Sequence, residues 1–376
     1  MQGSCPDIKN SLAIDYRNGH IQIGSCCASG RIKVDESPIN TYLSNRKLIE
    51  IKQDNENNIL RDDYCKWCVD PEYNGQPSRR QDVIQAVKSK FFKEGESLTR
   101  LDVSLNNLCN LKCTICDIHS STSWIPDHIA LGDTVPDEYH HKKAKKLTIN
   151  DPRELENLEY VKFQGGEPLL NEQHLHLLEM FDEIGILQNL VIHYNTNGTQ
   201  IVDDKVLKLW GKAKLVDLFF SIDDVEERFE YQRFGAKWDH VNDNLKWFTD
   251  NLEPNHVFKI TTTISLLNIC NLKNLIHWKE QNFNYNRLGD NIHQFFQPAN
   301  GGNSNLSLEN IEITLDQKNK IVSCLPNELK SYADSMPVVG IPQQNIFSYL
   351  DKLDKIRNTN WRKTFPELVD IFEQHI

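Results

Sequence analysis

The sequence predicts an α/β fold in which parallel strands alternate with helices. Six strand-like runs follow one another along the chain, at Leu101–Leu105, Tyr160–Gln164, Leu190–Tyr194, Val216–Ile222, Phe258–Ile264 and Ile292–Phe296. Helix-like stretches separate them, among them Glu172–Ile184 and Asp204–Lys212. Strands that alternate with helices imply a parallel sheet with right-handed crossovers. With 376 residues, the chain has room for one large domain with an accessory module, or for two domains.

A β-hairpin is predicted near the N-terminus, before the first of these strands. Leu12–Tyr16 and His20–Ile23 flank an Asn18-Gly19 pair, and Asn-Gly between alternating apolar runs is a strong hairpin signal. The returning strand leads into two adjacent cysteines, Cys26 and Cys27.

Five cysteines of this N-terminal part predict a metal site. Cys5, one of Cys26 and Cys27, and the pair Cys65 and Cys68 of a CxxC motif together supply four thiolates. Four thiolates are a common ligand set of structural zinc. A set of reduced thiols without a ligand is the other interpretation.

Composition restricts the function without identifying it. A formal charge of −11 argues against a broad nucleic-acid surface, so the cationic run His140–Lys146 is interpreted as a solvated helix face or loop. The N-terminal residues do not resemble a signal peptide, and no run of about 18 apolar residues is present to span a membrane. We therefore expect a cytoplasmic protein.

In a cytoplasmic protein, the ten cysteines suit metal binding better than disulfides. Cys270 and Cys324 are interpreted as small buried apolar residues.

A second group of cysteines follows the first predicted strand of the α/β part. Cys109, Cys113 and Cys116 form a Cx3Cx2C loop. An ordinary iron-sulfur cluster takes four thiolates, so three of them leave one iron of a cubane open to another ligand. Zinc is the alternative, with His119 as the fourth ligand.

A glycine-rich turn follows the next predicted strand. Gly165 and Gly166 let the backbone approach a ligand closely, Glu167 offers a carboxylate to an ammonium group, and Pro168 fixes the turn.

The combination of the cysteine loop and the Gly-Gly-Glu-Pro turn resembles the radical S-adenosylmethionine (radical SAM) enzymes. The resemblance implies that Cys109, Cys113 and Cys116 hold a [4Fe-4S] cluster whose open iron binds the amino and carboxylate groups of S-adenosylmethionine (SAM). It also implies that Gly165–Pro168 contact SAM and that Ile115, just before the third cysteine, contacts the adenine. The six strand–helix units fit the partial (β/α)6 TIM-like barrel of that family.

In βα barrels the chemistry lies at the carboxyl ends of the strands, and several further residues are predicted there. Asn195, Thr196 and Asn197 are candidate SAM ligands, although Asn197-Gly198 is equally a turn signal. Ser221 and Asp223 end the fourth strand, where the family often binds ribose or carboxylate. Arg233 is either a bidentate clamp for the SAM carboxylate or a surface arginine.

Over nearly its full length the chain is similar to Twitch-domain radical SAM proteins whose accessory module precedes the barrel. The shared features are the hairpin with its paired cysteines, the CxxC motif followed by Gly75–Arg80, and the segments Leu105–Lys112, Leu350–Arg357 and Phe365–Leu368. The resemblance implies an auxiliary [4Fe-4S] cluster at Cys5, Cys26 or Cys27, Cys65 and Cys68. The better-known Twitch and SPASM modules follow the barrel instead. We predict a Twitch-like module at residues 1–92, the barrel at 93–300 and a mostly helical extension at 301–376.

The function implied by the resemblance is reductive cleavage of SAM to a 5′-deoxyadenosyl radical that removes a hydrogen atom from the substrate. A peptide or protein side chain is the favoured substrate, with oxidation, crosslinking or epimerisation as the outcome. A radical SAM dehydrogenase or epimerase of a carbohydrate or other small molecule is the alternative, and Cys270 could serve an epimerase as hydrogen donor. The expected partners are the substrate and an electron donor such as flavodoxin or ferredoxin. A non-catalytic zinc-binding interaction protein is the alternative from another class.

Overall fold

The computed structural model describes residues 3–17, 20–34, 38–73, 75, 78–89, 91–92, 97–139, 147, 149–251, 253–286, 288–299, 304–339 and 345–373. The predicted Asn18-Gly19 turn, the cationic run 140–146 and the predicted boundary at residues 300 and 301 lie outside the described residues.

The described residues form a mixed α/β fold with a helical C-terminal part. The strands are β1 (Ser11–Asp15), β2 (Ile21–Gly24), β3 (Ile32–Val34), β4 (Arg100–Ser104), β5 (Tyr160–Gln164), β6 (Val191–Thr196), β7 (Leu215–Ser221), β8 (His256–Ile264) and β9 (His293–Pro298).

Fifteen α-helices lie in the same described ranges. They are α1 (Pro6–Asn10), α2 (Pro38–Ser44), α3 (Arg46–Glu56), α4 (Asp62–Tyr73), α5 (Arg79–Lys88), α6 (Ile125–Leu131), α7 (Glu172–Glu183), α8 (Asp204–Lys212), α9 (Glu226–Gln232), α10 (Trp238–Asn251), α11 (Leu272–Asn282), α12 (Leu315–Cys324), α13 (Asn345–Arg357), α14 (Trp361–Thr364) and α15 (Pro366–Phe372). Short 3-10 turns lie at Thr122–Trp124, Asp137–Tyr139, Pro152–Leu155, Pro168–Leu170, Leu187–Asn189, Ser304–Leu306, Leu308–Asn310 and Asn327–Ser335.

The chain divides into two compact units that are not consecutive in sequence. The first unit comprises Met1–Asn107, His141–Tyr194 and Val202–Asp217, and the second comprises Leu108–His140, Asn195–Ile201 and Leu218–Ile376. The predicted segments 1–92, 93–300 and 301–376 stay a prediction.

The N-terminal hairpin of the first unit continues a parallel sheet. β1 pairs with β2 in antiparallel fashion and with β4 in parallel, and β4, β5 and β6 are parallel neighbours. Every residue of β4 is buried, as expected for a strand inside a parallel sheet. β1 of the hairpin is therefore hydrogen-bonded to β4, the first strand of the α/β part.

The second unit holds the parallel pair β8 and β9 and most of the helices. β8 alternates buried and half-buried residues along its whole length, and it pairs with β9 from Lys259↔His293 to Ile264↔Pro298. Six of its α-helices, α10 to α15, follow residue 237, so the C-terminal part is helical as predicted.

The sequence predictions of the elements are confirmed to within a few residues. β5 and α8 begin and end where they were predicted, at Tyr160–Gln164 and Asp204–Lys212, and α7 ends at Glu183 instead of Ile184. The side chain of Asp203 accepts a hydrogen bond from Val206 N (2.9 Å), which explains the start of α8. The sequence analysis missed β3. In the described part of the chain, every helix is too short or too polar to cross a membrane.

Candidate functional site

The cysteine loop of the second unit is held by a short backbone ladder. Lys112 N donates to Phe234 O (3.0 Å), and Thr114 N donates to Gln232 O (2.7 Å). Cys116 N donates to Cys113 O (2.9 Å) and closes a tight turn between the last two cysteines. The partner segment, residues 232–234, contains Arg233, so this pairing brings the loop and that arginine together.

Two of the three sulfur atoms of the loop accept hydrogen bonds from polar groups. Cys109 Sγ accepts from Leu111 N (3.5 Å) and Asn197 Nδ2 (3.7 Å), and Cys113 Sγ accepts from Arg233 Nη1 (3.9 Å). A hydrogen bond from Cys116 and the charge of Arg233 lower the pKa of the Cys113 thiol, although burial opposes them. The same hydrogen bond and burial raise the pKa of Cys116 well above its ordinary value, and the charges of Cys113 and Cys109 act in the same direction. The three thiols therefore interact electrostatically.

Arg233 is buried, so the alternative of a surface arginine was wrong. Only 7 % of the residue is exposed, and its Nη2 lies 2.7 Å from Asp223 Oδ2. Burial acts to lower the pKa of Arg233, but Asp223, Cys113 and Cys116 outweigh it and raise that pKa above the ordinary value. Asp223 Oδ1 also accepts from Thr263 N (2.8 Å) in β8. The Nε atom of Arg233 has no hydrogen-bond partner among the described residues, which leaves a buried donor beside the cysteine loop.

A second arginine braces the loop, and the sequence analysis gave it no role. Arg357, the last residue of α13, donates through Nε to Asp127 (2.7 Å) and through Nη1 to Thr114 Oγ1 (3.3 Å). Its guanidinium also lies over the ring of Trp124, whose Nε1 donates to Cys113 O (3.0 Å). The only sequence signal for this contact was the resemblance of the tail that ends at Arg357, because 230 residues separate Arg357 from Asp127.

Thr196 and Asn197, at the end of β6, form a turn, and Asn197 also contacts the cysteine loop. Thr196 Oγ1 accepts from Gly198 N (3.2 Å), and Asn197 Oδ1 accepts from Thr199 N (2.9 Å), as a turn requires. The Asn197 amide also donates to Cys109 Sγ and to Asn110 Oδ1 (3.1 Å). Asn195 and Ser221 are half-buried, as is Ile115 in the loop itself.

The Gly-Gly-Glu-Pro turn belongs to the first unit and follows β5. Gly165 has φ +126°, and a Cβ there would lie 2.5 Å from Asn106 O, so only glycine fits. Gly166 N donates to the same oxygen (2.9 Å). Glu167 is buried, and its carboxylate accepts from Leu169 N (3.1 Å) at the start of the turn Pro168–Leu170.

Electrostatic interactions link four N-terminal cysteines of the first unit that lie at three places in the chain. Cys5 precedes α1, Cys26 follows β2, and Cys65 and Cys68 lie in α4, where Cys65 has a non-helical backbone. Burial raises the pKa of all four thiols, to about 12 for Cys5 and about 11 for Cys65. Mutual charge effects contribute as well, and they link Cys26 to Cys5, Cys5 to Cys65, and Cys65 to Cys68. We call these four residues the N-terminal set, and Cys109, Cys113 and Cys116 the loop set.

Cys27 shares some neighbours with Cys26 and differs in others. Its backbone N donates to Asp102 Oδ2 (3.1 Å), and the charges that act on its thiol come from Asp102, Arg79, Lys162 and Asp7. Burial is the main cause of its raised pKa. Asp7 and Arg79 act on Cys26 as well, and so does the charge of Cys27 itself.

Two adjacent arginines, which the sequence analysis noted only as part of a shared motif, lie beside the N-terminal cysteines. Arg79 interacts electrostatically with Cys26 and Cys27, and Arg80 interacts with Cys5 and Cys68. Arg80 is held by Glu72, with Nε 2.9 Å from Oε1. These cations can offset the charge of thiolate ligands.

The donor chemistry of both sets fits an iron-sulfur cluster. Thiolates are the usual ligands of such clusters, and hydrogen bonds to the sulfurs and nearby charge tune them. Among the described residues, no three His, Cys, Asp or Glu side chains are grouped as a site for a metal ion. His119, the fourth ligand of the zinc alternative, is exposed and hydrogen-bonds through its ring to Tyr139 Oη (2.8 Å).

Residues 103–278 match the model of a protein family described as the radical SAM superfamily. The matched segment covers a little under half of the chain and includes the loop set, Gly165–Pro168, Asp223 and Arg233, but not the N-terminal set.

Solved structures of low sequence identity are similar to the chain. Native anSMEcpe with bound AdoMet is 17 % identical, with a TM-score of 0.39, and the alignment covers 64 % of this chain and 62 % of that one. Streptococcus suis SuiB bound to S-adenosylmethionine is 14 % identical, with a TM-score of 0.40 and coverage of 94 % and 78 %. SuiB bound to the precursor peptide SuiA is 16 % identical, with a TM-score of 0.34 and coverage of 75 % and 61 %. The chain thus spans less than two thirds of the length of anSMEcpe. The search among curated proteins found no match.

Proposed function

We propose that this protein is a radical SAM enzyme that uses SAM and two [4Fe-4S] clusters to modify a peptide or protein side chain. The observation that carries the proposal is the loop set: three interacting thiols within a radical SAM domain, beside a buried arginine. A structural zinc site would ordinarily be closed by a fourth protein ligand. His119, the predicted fourth ligand, bonds to Tyr139 instead.

The protein's own part in the reaction is to bind, orient and exclude water. When bound, the cluster and SAM supply the electron transfer and the sulfonium cleavage that generate the 5′-deoxyadenosyl radical. Cys109, Cys113 and Cys116 would hold the cluster. Arg233 places positive charge next to the Cys113 sulfur, and Asp223 fixes the guanidinium against β8. The unpartnered Nε of Arg233 is suited to the SAM carboxylate.

The remaining SAM contacts are proposed on the resemblance. Gly165, Gly166, Glu167 and Pro168 would bind the amino group, Ile115 the adenine, and Asn195, Thr196, Asn197 and Ser221 the ribose or carboxylate. The buried carboxylate of Glu167 and the close backbone approach at Gly165 are consistent with such a role.

The N-terminal set would hold the auxiliary cluster, and we assign Cys26 as its ligand in preference to Cys27. The electrostatic links from Cys26 to Cys5, from Cys5 to Cys65 and from Cys65 to Cys68 support this choice. Cys27 also interacts with Cys26, but its backbone N is bonded to Asp102. Four protein ligands would complete the coordination of a cubane, and such a cluster suits transfer of the electron left on an oxidised substrate radical. A peptide or protein substrate rests on the resemblance to Twitch and SPASM proteins, and so does an external electron donor such as flavodoxin or ferredoxin. A carbohydrate or other small molecule is the alternative substrate.

Anaerobic reconstitution followed by single substitutions tests the proposal. The wild-type protein should bind about eight irons, the number in two cubanes, and after reduction with dithionite it should convert SAM to 5′-deoxyadenosine. Cys113→Ala should lose about half of the iron and all of that turnover. Cys324→Ser, which changes a cysteine outside both sets, is the matched control and should keep both.

Two outcomes would contradict the proposal. A colourless protein that carries zinc after reconstitution would favour the non-catalytic interaction protein. Formation of 5′-deoxyadenosine by the Cys113→Ala variant would exclude the loop set as the reactive site. The substrate class can then be identified by transfer of deuterium from a labelled peptide or carbohydrate to 5′-deoxyadenosine.

A further inference from the structure

Two cysteines outside both sets interact in the second unit, although the sequence analysis interpreted each as a small buried apolar residue. Cys270 lies in the turn between β8 and α11, and Cys324 is the last residue of α12. Each thiol shifts the pKa of the other. Both are half-buried, so the pair is accessible from solvent.

Neighbouring contacts fix this pair in position. Lys273 Nζ, in the first turn of α11, donates to Ser323 O at the end of α12 (3.3 Å). Cys324 Sγ donates to Lys320 O (3.4 Å), one turn earlier in the same helix. Asn271 N donates to Asn268 O (2.8 Å) and closes the turn that carries Cys270. The bond from Lys273 to Ser323 therefore joins the two segments that carry Cys270 and Cys324.

The charge environment makes one thiol of the pair reactive. The hydrogen bond from Cys270 lowers the pKa of Cys324 to about 6, and Ser323 and the charge of Lys273 add to this effect, while burial and Glu367 oppose it. The same hydrogen bond and burial raise the pKa of Cys270 far above its ordinary value. A thiolate next to a protonated thiol is the arrangement of an attacking and a resolving cysteine.

We propose that Cys270 and Cys324 form a reversible disulfide that fastens the end of α12 to the turn after β8. Low-molecular-weight disulfides such as glutathione disulfide would be the oxidant. The Cys324 thiolate attacks one glutathione sulfur, the bond between the two glutathione sulfurs breaks, and one glutathione leaves as a thiolate that takes up a proton. Cys270 then loses its proton to solvent and attacks Cys324 Sγ, which releases the second glutathione. Two protein thiols are oxidised, and one glutathione disulfide is reduced to two thiols.

The turn that would be fastened is in contact with Asp223. Asn268 Nδ2 donates to Asp223 O (2.8 Å), and Asn271 Nδ2 donates to Asp224 Oδ1 (2.5 Å). Oxidation would therefore restrain the residues that hold the Asp223–Arg233 pair. The disulfide itself requires neither SAM nor iron, so it can be tested independently of the proposed enzymatic function.

Peptide mapping after oxidation is the direct test. The anaerobically purified full chain is treated with glutathione disulfide, quenched in acid, alkylated with N-ethylmaleimide and digested for mass spectrometry. We expect one crosslinked peptide that contains Cys270 and Cys324, and its loss after treatment with dithiothreitol. The Cys270→Ser variant should retain glutathione on Cys324, and the Cys324→Ser variant should leave Cys270 alkylated.

A wild-type protein in which glutathione stays on Cys324 while Cys270 is alkylated would overturn the proposal. So would a protein in which both residues remain open to alkylation after oxidation. The pH dependence of Cys324 alkylation gives a second measurement, on the wild type and a Cys270→Ala variant. Its midpoint should lie near pH 6 in the wild type and move upward in Cys270→Ala, because alanine has no group that can donate to Cys324. An unchanged midpoint would show that the two thiols are not in contact, and matching circular dichroism spectra would show that the variant is folded.

Discussion

The loop set and the N-terminal set use the same side chain in two different environments. In the loop set, Cys113 lies against Arg233 and accepts a hydrogen bond from Cys116, and the pKa of its thiol is lowered. In the N-terminal set, burial dominates and raises the pKa of all four thiols, although Arg79 and Arg80 lie close by. The loop set has one thiol fewer and a buried arginine in its vicinity.

This difference suggests a division of tasks. A set of three thiols beside a cationic donor leaves room for an anionic ligand, whereas four buried thiols would complete the coordination of a cluster without one. The loop set would therefore bind a reactant, and the N-terminal set would hold a cluster that only exchanges electrons. Each of the following changes affects one set and leaves the other as an internal reference.

The largest expected effect separates Cys26 from Cys27. Cys26→Ser should remove about four irons from the reconstituted protein, the content of one cubane, because it breaks the N-terminal set. Cys27→Ser should keep the full iron content, because the backbone N of this residue is bonded to Asp102 and the charges of Asp102 and Lys162 act on its thiol. Iron analysis and electron paramagnetic resonance on the two variants provide the measurement. Loss of iron from the Cys27 variant alone would reverse the assignment.

How far the sequence predicts each set depends on how its ligands are distributed. The loop set lies within eight residues, so its spacing indicates a metal or cluster site, and the Gly-Gly-Glu-Pro turn adds the resemblance that favours a cluster over zinc. The N-terminal set comprises a residue before α1, one after β2 and two in α4, and no spacing rule could decide between two adjacent cysteines. The bond from Cys27 N to Asp102 supports the proposal of Cys26.

The contacts that the sequence analysis did not predict join residues that are far apart in the chain. Strand positions follow from local periodicity, and eight of the nine described strands were predicted to within a few residues, whereas α7 and α8 were the helices that were named. Arg357 bonds to a residue 230 positions away, and Cys270 meets Cys324 from another element of the second unit. Such contacts depend on tertiary packing, which a periodic pattern does not encode.

Substitution of Arg357, which bonds to Asp127 and Thr114 near the loop set, should have an intermediate effect. Arg357→Ala leaves the buried carboxylate of Asp127 with Lys112 as its remaining partner and uncovers the ring of Trp124. Removing one partner of a buried pair costs about 3 kcal/mol of the free energy of unfolding. Urea unfolding followed by circular dichroism measures this cost, and iron analysis should show looser binding at the loop set only.

Arg362→Ala is the matched control for that substitution. Arg362 pairs with Asp351 at the surface, where the two side chains are 41 % and 39 % exposed. An exposed pair contributes less than about 1 kcal/mol, so this variant should unfold close to the wild type. If both variants were destabilised equally, Arg357 would not act as a specific brace.

The smallest effect concerns one hydrogen bond to a sulfur of the loop set. Asn197→Asp keeps the oxygen that accepts from Thr199 N but replaces the N–H groups that point to Cys109 Sγ and Asn110. Substitution of such an outer partner typically weakens metal binding by about tenfold or more. We expect an iron chelator to remove iron from the loop set about tenfold faster in this variant, while iron in the N-terminal set is unaffected. Asn244→Asp is the control, because its amide donates to Gly198 O of the same turn (2.9 Å) and not to a sulfur. Equal rates in the two variants would mean that the turn, and not the hydrogen bond to Cys109, governs the stability of the loop set.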